Sequence, residues 1–213
     1  MKKVSLGVSL LGLLILLFTL GPIGLYQLNG LLQPKLIDPT KVSRIAIFDE
    51  SQVLGVDYTN SKNWFEGANT NSVTASRVGY YTVSIPSLNI NNISVEINGT
   101  DLKKNAIQFP GTAVPGTYGN TVIFGHSTLP QLYRPGSFLS EFTPLPEIKK
   151  GAEVVVNYDG VTYRYVVRDI AVVKPDQIEV LAQRYDKYEL TLITCVPLGT
   201  YIDRFVARAE LVN

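Results

Sequence analysis

Asp159-Gly160 stands between two runs rich in β-branched and aromatic residues, 154–158 and 161–167. An Asp-Gly pair supplies the positive φ angles that a two-residue hairpin turn requires, so the two runs read as paired strands. In the second arm Val161, Tyr163, Tyr165 and Val167 alternate with Thr162 and Arg164. Such alternation gives a strand one apolar and one polar face. The pattern recurs along the chain. Tyr81, Val83 and Ile85 alternate before Pro86, and Ile93, Val95 and Ile97 alternate before Asn98-Gly99. Residues 121–124, 170–173, 190–194 and 205–211 are further apolar runs between turn residues. About eight short strands at this spacing predict a mainly β domain, a closed barrel or a sandwich, and exclude a parallel α/β sheet. Short helical turns are expected at residues 102–105, 137–142 and 176–182.

The N-terminus follows a different rule. Lys2-Lys3 precedes residues 4–20, which carry no charge, and the next charged residue is Lys35. About 20 apolar residues span the hydrocarbon of a bilayer, so residues 4–26 are expected to form a transmembrane anchor. The lysine pair places residues 1–3 in the cytoplasm and the bulk of the chain outside the membrane. A cleaved signal peptide is the rival reading; the apolar run exceeds the ~7–15 residues of a signal core, and no small-x-small cleavage pattern follows it. Residues 27–78 read as a linker or N-terminal extension, rich in Asn, Ser, Thr and Gly from Asp57 to Arg77, and residues 79–213 as the folded domain. Trp64-Phe65 interrupts that polar stretch. Two adjacent large rings need somewhere to dock, by plain packing more often than as a lid over a cleft.

Formal net charge is +1, which gives no field to recruit nucleic acid. One cysteine excludes an internal disulfide, and with one histidine it excludes a multi-Cys or multi-His metal site. No cofactor is called for, while a calcium site of carboxylates and carbonyls stays compatible. Cys195 ends the apolar run Thr191-Leu192-Ile193-Thr194, and Arg204 opens the final one. A strand, a loop over 196–203 and a second strand set the thiol across from a permanent cation. On the last strand Phe205, Ala207, Ala209 and Leu211 suit a core face, which leaves Arg204, Val206 and Arg208 on the other. Arg204 is therefore the arginine nearest the thiol. The single histidine, His126, leaves the short strand 121–124. A thiol with an imidazole supplies a nucleophile and a proton carrier, and an arginine can steady a developing oxyanion. Ser127, beside His126, has no acid placed to make it a nucleophile.

Thr191-Leu192-Ile193-Thr194-Cys195 with Arg204 resembles the signature of sortases, the cysteine transpeptidases of bacterial cell surfaces. Ile85-Pro86-Ser87-Leu88-Asn89-Ile90 is similar to the family's early strand. Pro115-Gly116-Thr117-Tyr118-Gly119-Asn120, leading to Gly125-His126, is similar to the segment bearing its catalytic histidine. The resemblance covers the chain from about Tyr80 onward. It implies a closed eight-stranded β-barrel held at the membrane, with Cys195 as nucleophile, His126 as acid/base and Arg204 as the substrate- and oxyanion-stabilising cation. It further implies cleavage of a Leu-Pro-x-Thr-Gly-like sorting signal on secreted proteins through a thioacyl-enzyme, resolved by an amine of a peptidoglycan precursor or a pilin lysine. Thr194, Ile178, Val180 and Leu181 are the expected substrate contacts; the last three suit a pocket for Leu-Pro, or simple packing on the barrel. The step from Cys195 to Arg204 and the Val196-Pro197-Leu198-Gly199 between them resemble the pilin-assembling and related subclasses. Asp38-Pro39, however, is followed by Thr40 and not by the aromatic of their lid motif, so the subclass stays open. Two other readings stand beside the transpeptidase: a non-catalytic surface barrel that binds peptide or wall polymer, and a purely hydrolytic cysteine peptidase.

Overall fold

The computed structural model describes Leu16, Leu20, Gly21, residues 56–69 and residues 71–212. The chain divides into two units, Met1–Leu36 and Ile37–Asn213. In the first, Leu16, Leu20 and Gly21 are helical. The rest of the expected anchor lies outside the described residues, as do residues 27–55. Among the described residues no helix is long and apolar enough to cross a membrane.

The second unit is built on eight strands: β1 (Tyr80–Ile85), β2 (Ile90–Ile97), β3 (Ala106–Gln108), β4 (Gly119–Phe124), β5 (Glu153–Tyr158), β6 (Val161–Val173), β7 (Tyr188–Val196) and β8 (Asp203–Val212). They close into a barrel in the order β1-β2-β3-β4-β7-β8-β6-β5. Closure removes the free edges that would otherwise template pairing with another chain. Most neighbours are antiparallel, and β2–β3 and β4–β7 are parallel.

The expected hairpin is present, with β5 paired to β6 across Asp159-Gly160, both at positive φ. Two expectations change. Residues 161–167 and 170–173 are one continuous strand, not two; the register against β8 shifts between Val167 and Asp169, and this irregularity breaks the alternation that separated them in the sequence. The place so vacated is taken by β3, where a helical turn was expected just upstream; residues 102–104 form only a turn. A three-residue strand is too short to declare a period. Of the other expected turns, Ile178–Leu181 forms a 3-10 helix.

Alternation divides the apolar residues into two cores. Val83, Val95, Ile123, Leu190, Leu192 and Ala207 pack inside the barrel. Val122, Phe124, Ile193, Cys195 and Val206 point the other way and form an outer cluster with Trp64, Phe65 and Val180. The second cluster lies on the outer face of β4, β7 and β8. Residues 57–69 cover it as a strap. Asn60 bridges to Asp101, the Ser61 amide donates to Thr100 O and the Leu102 amide to Thr59 O. On the other flank the Glu66 amide donates to Pro175 O. Trp64 is fully buried and Phe65 nearly so. Burying two large rings offsets the ordering of a segment whose other residues are polar.

Candidate active site

Cys195 and Arg204 are direct cross-strand partners of β7 and β8. Side chains on one face at such a pair of positions have Cβ atoms about 4.5–5.5 Å apart. The loop between the strands is shorter than the sequence suggested, because β7 runs on through Val196 and β8 begins at Asp203. His126 follows β4, which pairs parallel to β7 with Phe124 beside Ile193. Two residues past that pair, His126 and Cys195 thus leave neighbouring strands in the same direction. Three bonds fix the turn that carries the histidine. The Gly125 amide donates to Ile193 O, the Thr194 hydroxyl donates to Gly125 O at 2.8 Å, and the Ser127 hydroxyl donates to Cys195 O at 2.8 Å. From the far side the Phe142 amide donates to His126 O. Gly125 has no room for a side chain, since a Cβ there would meet the Phe142 ring at 2.5 Å.

All three polar residues are shut away, with Cys195 2%, His126 5% and Arg204 0% exposed. The strap accounts for this. Arg204 Nε donates to Trp64 O at 3.0 Å, and Nη1 donates to Tyr201 O and Asp203 O at 2.9 and 3.2 Å. Nη2 has no partner. The guanidinium carbon stands 5.5 Å from the Trp64 ring centroid, 5.8 Å from that of Tyr58 and 5.9 Å from that of Phe65. A buried cation is costly unless compensated, and here carbonyl dipoles and ring faces compensate it. Trp64 stacks on Phe124 with centroids 5.0 Å apart and meets the His126 imidazole edge-on at 6.3 Å. Its indole N–H donates to Tyr58 O, and Tyr58 in turn stacks on Tyr201.

Burial pushes the Cys195 thiol up to about 11, against the downward pull of Arg204. Burial also lowers the His126 imidazole from its usual value, and Asp57 and Asp101 oppose that. Under the strap both groups therefore rest uncharged near neutral pH. His126 Nε2 has no hydrogen-bond partner.

Thr194 is fully buried and spends its hydroxyl on the Gly125 carbonyl, so it ties β7 to the histidine turn. Val180 is buried in the outer cluster, with Leu181 packed beside it. Ile178 is 40% exposed. Ile178 and Leu181, with Phe109, Ala68, Thr112 and Gln183, line a cavity of about 350 Å³ at the edge of the strap. Tyr58 and Phe124 join the site without any expectation from the sequence, and Trp64-Phe65, expected to dock by plain packing more often than as a lid over a cleft, lies over it. The one signal available was the aromatic pair itself, set in a polar stretch. No group of three or more His, Cys, Asp or Glu that could hold a metal ion occurs among the described residues.

A closed barrel that presents a thiol, an arginine and an imidazole on neighbouring strands has the architecture of a thiol-dependent acyl-transfer enzyme. Residues 83–212 match the family model of the sortase domain. The chain is 28% identical over 188 residues to Sortase A of Streptococcus agalactiae serotype III (strain NEM316), covering 87% of this chain and 71% of that protein. Among solved structures it is similar to a Clostridium perfringens Sortase D5 transpeptidase, with 26% identity, a TM-score of 0.53, and 63% of this chain and 79% of that one covered. It is also similar to sortase C-1 from Actinomyces oris, with 29% identity, a TM-score of 0.56, and 64% and 76% covered. The chain belongs to the sortase family and is a cysteine transpeptidase.

Proposed function

We propose that this chain is a membrane-anchored transpeptidase that cleaves a Leu-Pro-x-Thr-Gly-like sorting signal and joins the carboxyl end so formed to an amine of a cell-wall precursor or to a pilin lysine. The observation that carries the reading is the direct pairing of Cys195 with Arg204, with His126 leaving the adjacent parallel strand in the same direction. Residues 4–26 serve as the anchor, residues 1–3 remain in the cytoplasm, residues 27–78 connect, and the catalytic barrel of residues 79–213 works outside the membrane.

For a peptide to reach Cys195 the strap must leave. Water and the substrate then reach the thiol, and the desolvation that raises its pKa is relieved while Arg204 still favours the thiolate. The Cys195 thiol passes its proton to His126 and its Sγ attacks the threonine carbonyl, while the Arg204 guanidinium, freed of the Trp64 carbonyl, steadies the oxyanion. Collapse breaks the Thr–Gly bond. His126 gives a proton to the departing glycine amine, and a thioacyl-enzyme remains. An incoming amine attacks that thioester, His126 takes its proton, and Cys195 departs as the leaving group. The apolar outer groove, with Val180, Leu181 and Ile178 at its rim, suits the Leu-Pro pair.

The test incubates the full chain in detergent with a panel of sorting-signal peptides and an amine, with products read by mass spectrometry. Amine-capped product from the parent chain and none from Cys195→Ala is expected. Unchanged peptide across the panel with folded protein overturns the reading. Equal hydrolysis with and without amine favours a peptidase instead.

A further inference from the structure

The strap does more than cover the thiol; it fills the groove with a backbone carbonyl and an aromatic ring. Within it, a single residue makes two contacts of the kind a peptide ligand needs. The backbone carbonyl of Trp64 accepts from Arg204 Nε, and its side chain lies in a narrow slot. One wall of that slot is the Phe124 ring, nearly parallel to the indole with an interplanar angle of 10°. Another is the Arg204 guanidinium, 5.5 Å from the ring centroid. The His126 imidazole meets the indole edge-on. A stacked ring, a cation near a π face and an edge-on imidazole all interact with the quadrupole of an aromatic ring, and an aliphatic side chain of the same bulk has none. Arg204 and Phe124 are fully buried and project from strands of the barrel, not from the strap, so these walls persist when the strap leaves.

We propose that the slot between Phe124 and Arg204 is an aryl-binding subsite: Trp64 fills it in the closed chain, and the peptide that displaces the strap fills it with an aromatic side chain of its own. The substrate class is thereby narrowed to peptides with a ring at a position N-terminal to the scissile bond, where the same residue offers its carbonyl to Arg204. This inference rests on the transpeptidase reading, because the slot is taken to serve the peptide that Cys195 attacks.

Trp64 is the only tryptophan in the chain, so its emission reports its own displacement. The full chain carrying Cys195→Ala, which leaves the peptides intact, is titrated with signal peptides that contain no tryptophan. Each position before the threonine is varied among leucine, phenylalanine and cyclohexylalanine, the last having the bulk of phenylalanine without its π faces. At one position phenylalanine is expected to red-shift the emission at a concentration at least tenfold below either alternative, a difference of about 1.4 kcal/mol. Phe124→Leu is expected to remove most of that advantage. Equal midpoints for phenylalanine and cyclohexylalanine at every position overturn the subsite, whether or not Phe124→Leu folds. So does turnover of the panel by the parent chain when no peptide shifts the emission in Cys195→Ala. A phenylalanine-dependent shift without turnover of any peptide upholds the subsite and overturns the transpeptidase reading. Neither shift nor turnover overturns both.

Discussion

Replacing Trp64 with alanine should convert a protected thiol into a reactive one. Opening the strap undoes the indole's burial, its stack on Phe124, and the Trp64 carbonyl contact to Arg204. Trp→Ala in a packed site costs about 3–5 kcal/mol. Most of that loss falls on the closed state, because the open strap already exposes the ring. At about 1.4 kcal/mol per decade, the open population should rise by about two to three and a half powers of ten, up to the limit of a fully open chain. A second effect acts in the same direction. A thiol held at about 11 is almost wholly protonated at pH 8, whereas one near its ordinary value of 9.0 is about a tenth thiolate. Iodoacetamide alkylation at pH 8 reads both effects, and with one cysteine in the chain the signal has a single source. The expected acceleration is about a hundredfold or more, with the alkylation profile displaced to lower pH. An alkylation rate within threefold of the parent, in a variant whose circular dichroism shows the barrel folded, would refute the view that the strap governs access to Cys195.

Three further outcomes follow from particular residues. Glu141 is buried, one carboxylate oxygen has no partner, and burial raises its carboxyl from 4.5 to about 7 against the Ala106 amide that favours the charge. A folded-state value above the unfolded one means stability is fullest below pH 4.5 and falls as pH rises to about 7, by about 3 kcal/mol at most. Glu141→Gln should flatten that fall in urea denaturation series at pH 5 and pH 8, and an unchanged slope between the two counts against the assignment. Gly125→Ala should force the Phe142 ring aside, destabilise the fold by about 1–3 kcal/mol and lower turnover more than peptide binding, as measured by kcat and KM separately. Arg204→Lys keeps the charge but loses the fork that reaches Trp64 O, Tyr201 O and Asp203 O; transpeptidation should fall at least tenfold, and parent-like kcat/KM would show that charge alone suffices.

What the sequence disclosed depended on how local the responsible physics was. The alternation Phe205, Ala207, Ala209 gave the inward face of β8, and by parity it set Arg204 outward beside Cys195. The β5–β6 hairpin was legible because Asp159-Gly160 fixes its turn within two residues. β3 was not, for three residues carry no period, and the register shift near Arg168 divided one strand into two apparent runs. The strap was legible only in part, since the Trp64-Phe65 pair signalled docking, by packing or as a lid, but not its partners. Tyr58, Trp64 and Phe65 lie in a polar stretch that local rules assign to loop, and their burial depends on partners near residues 101, 124, 175 and 204. Pairs so far apart in sequence leave no local trace.

The order of strands around the barrel also bears on how the enzyme is made. β7 closes the gap between β4 and β8 and carries the thiol, yet along the chain it follows β4 only after β5 and β6. Contacts of such long range form late, after the loop-closure entropy of the preceding chain has been met. A polypeptide interrupted before Tyr188 would hold β4 and His126 but no nucleophile, and β4 would lack its β7 neighbour. Such interrupted copies lack the thiol nucleophile, and their open strand edges are free to pair with other chains. Reactivity arrives together with completion of the fold.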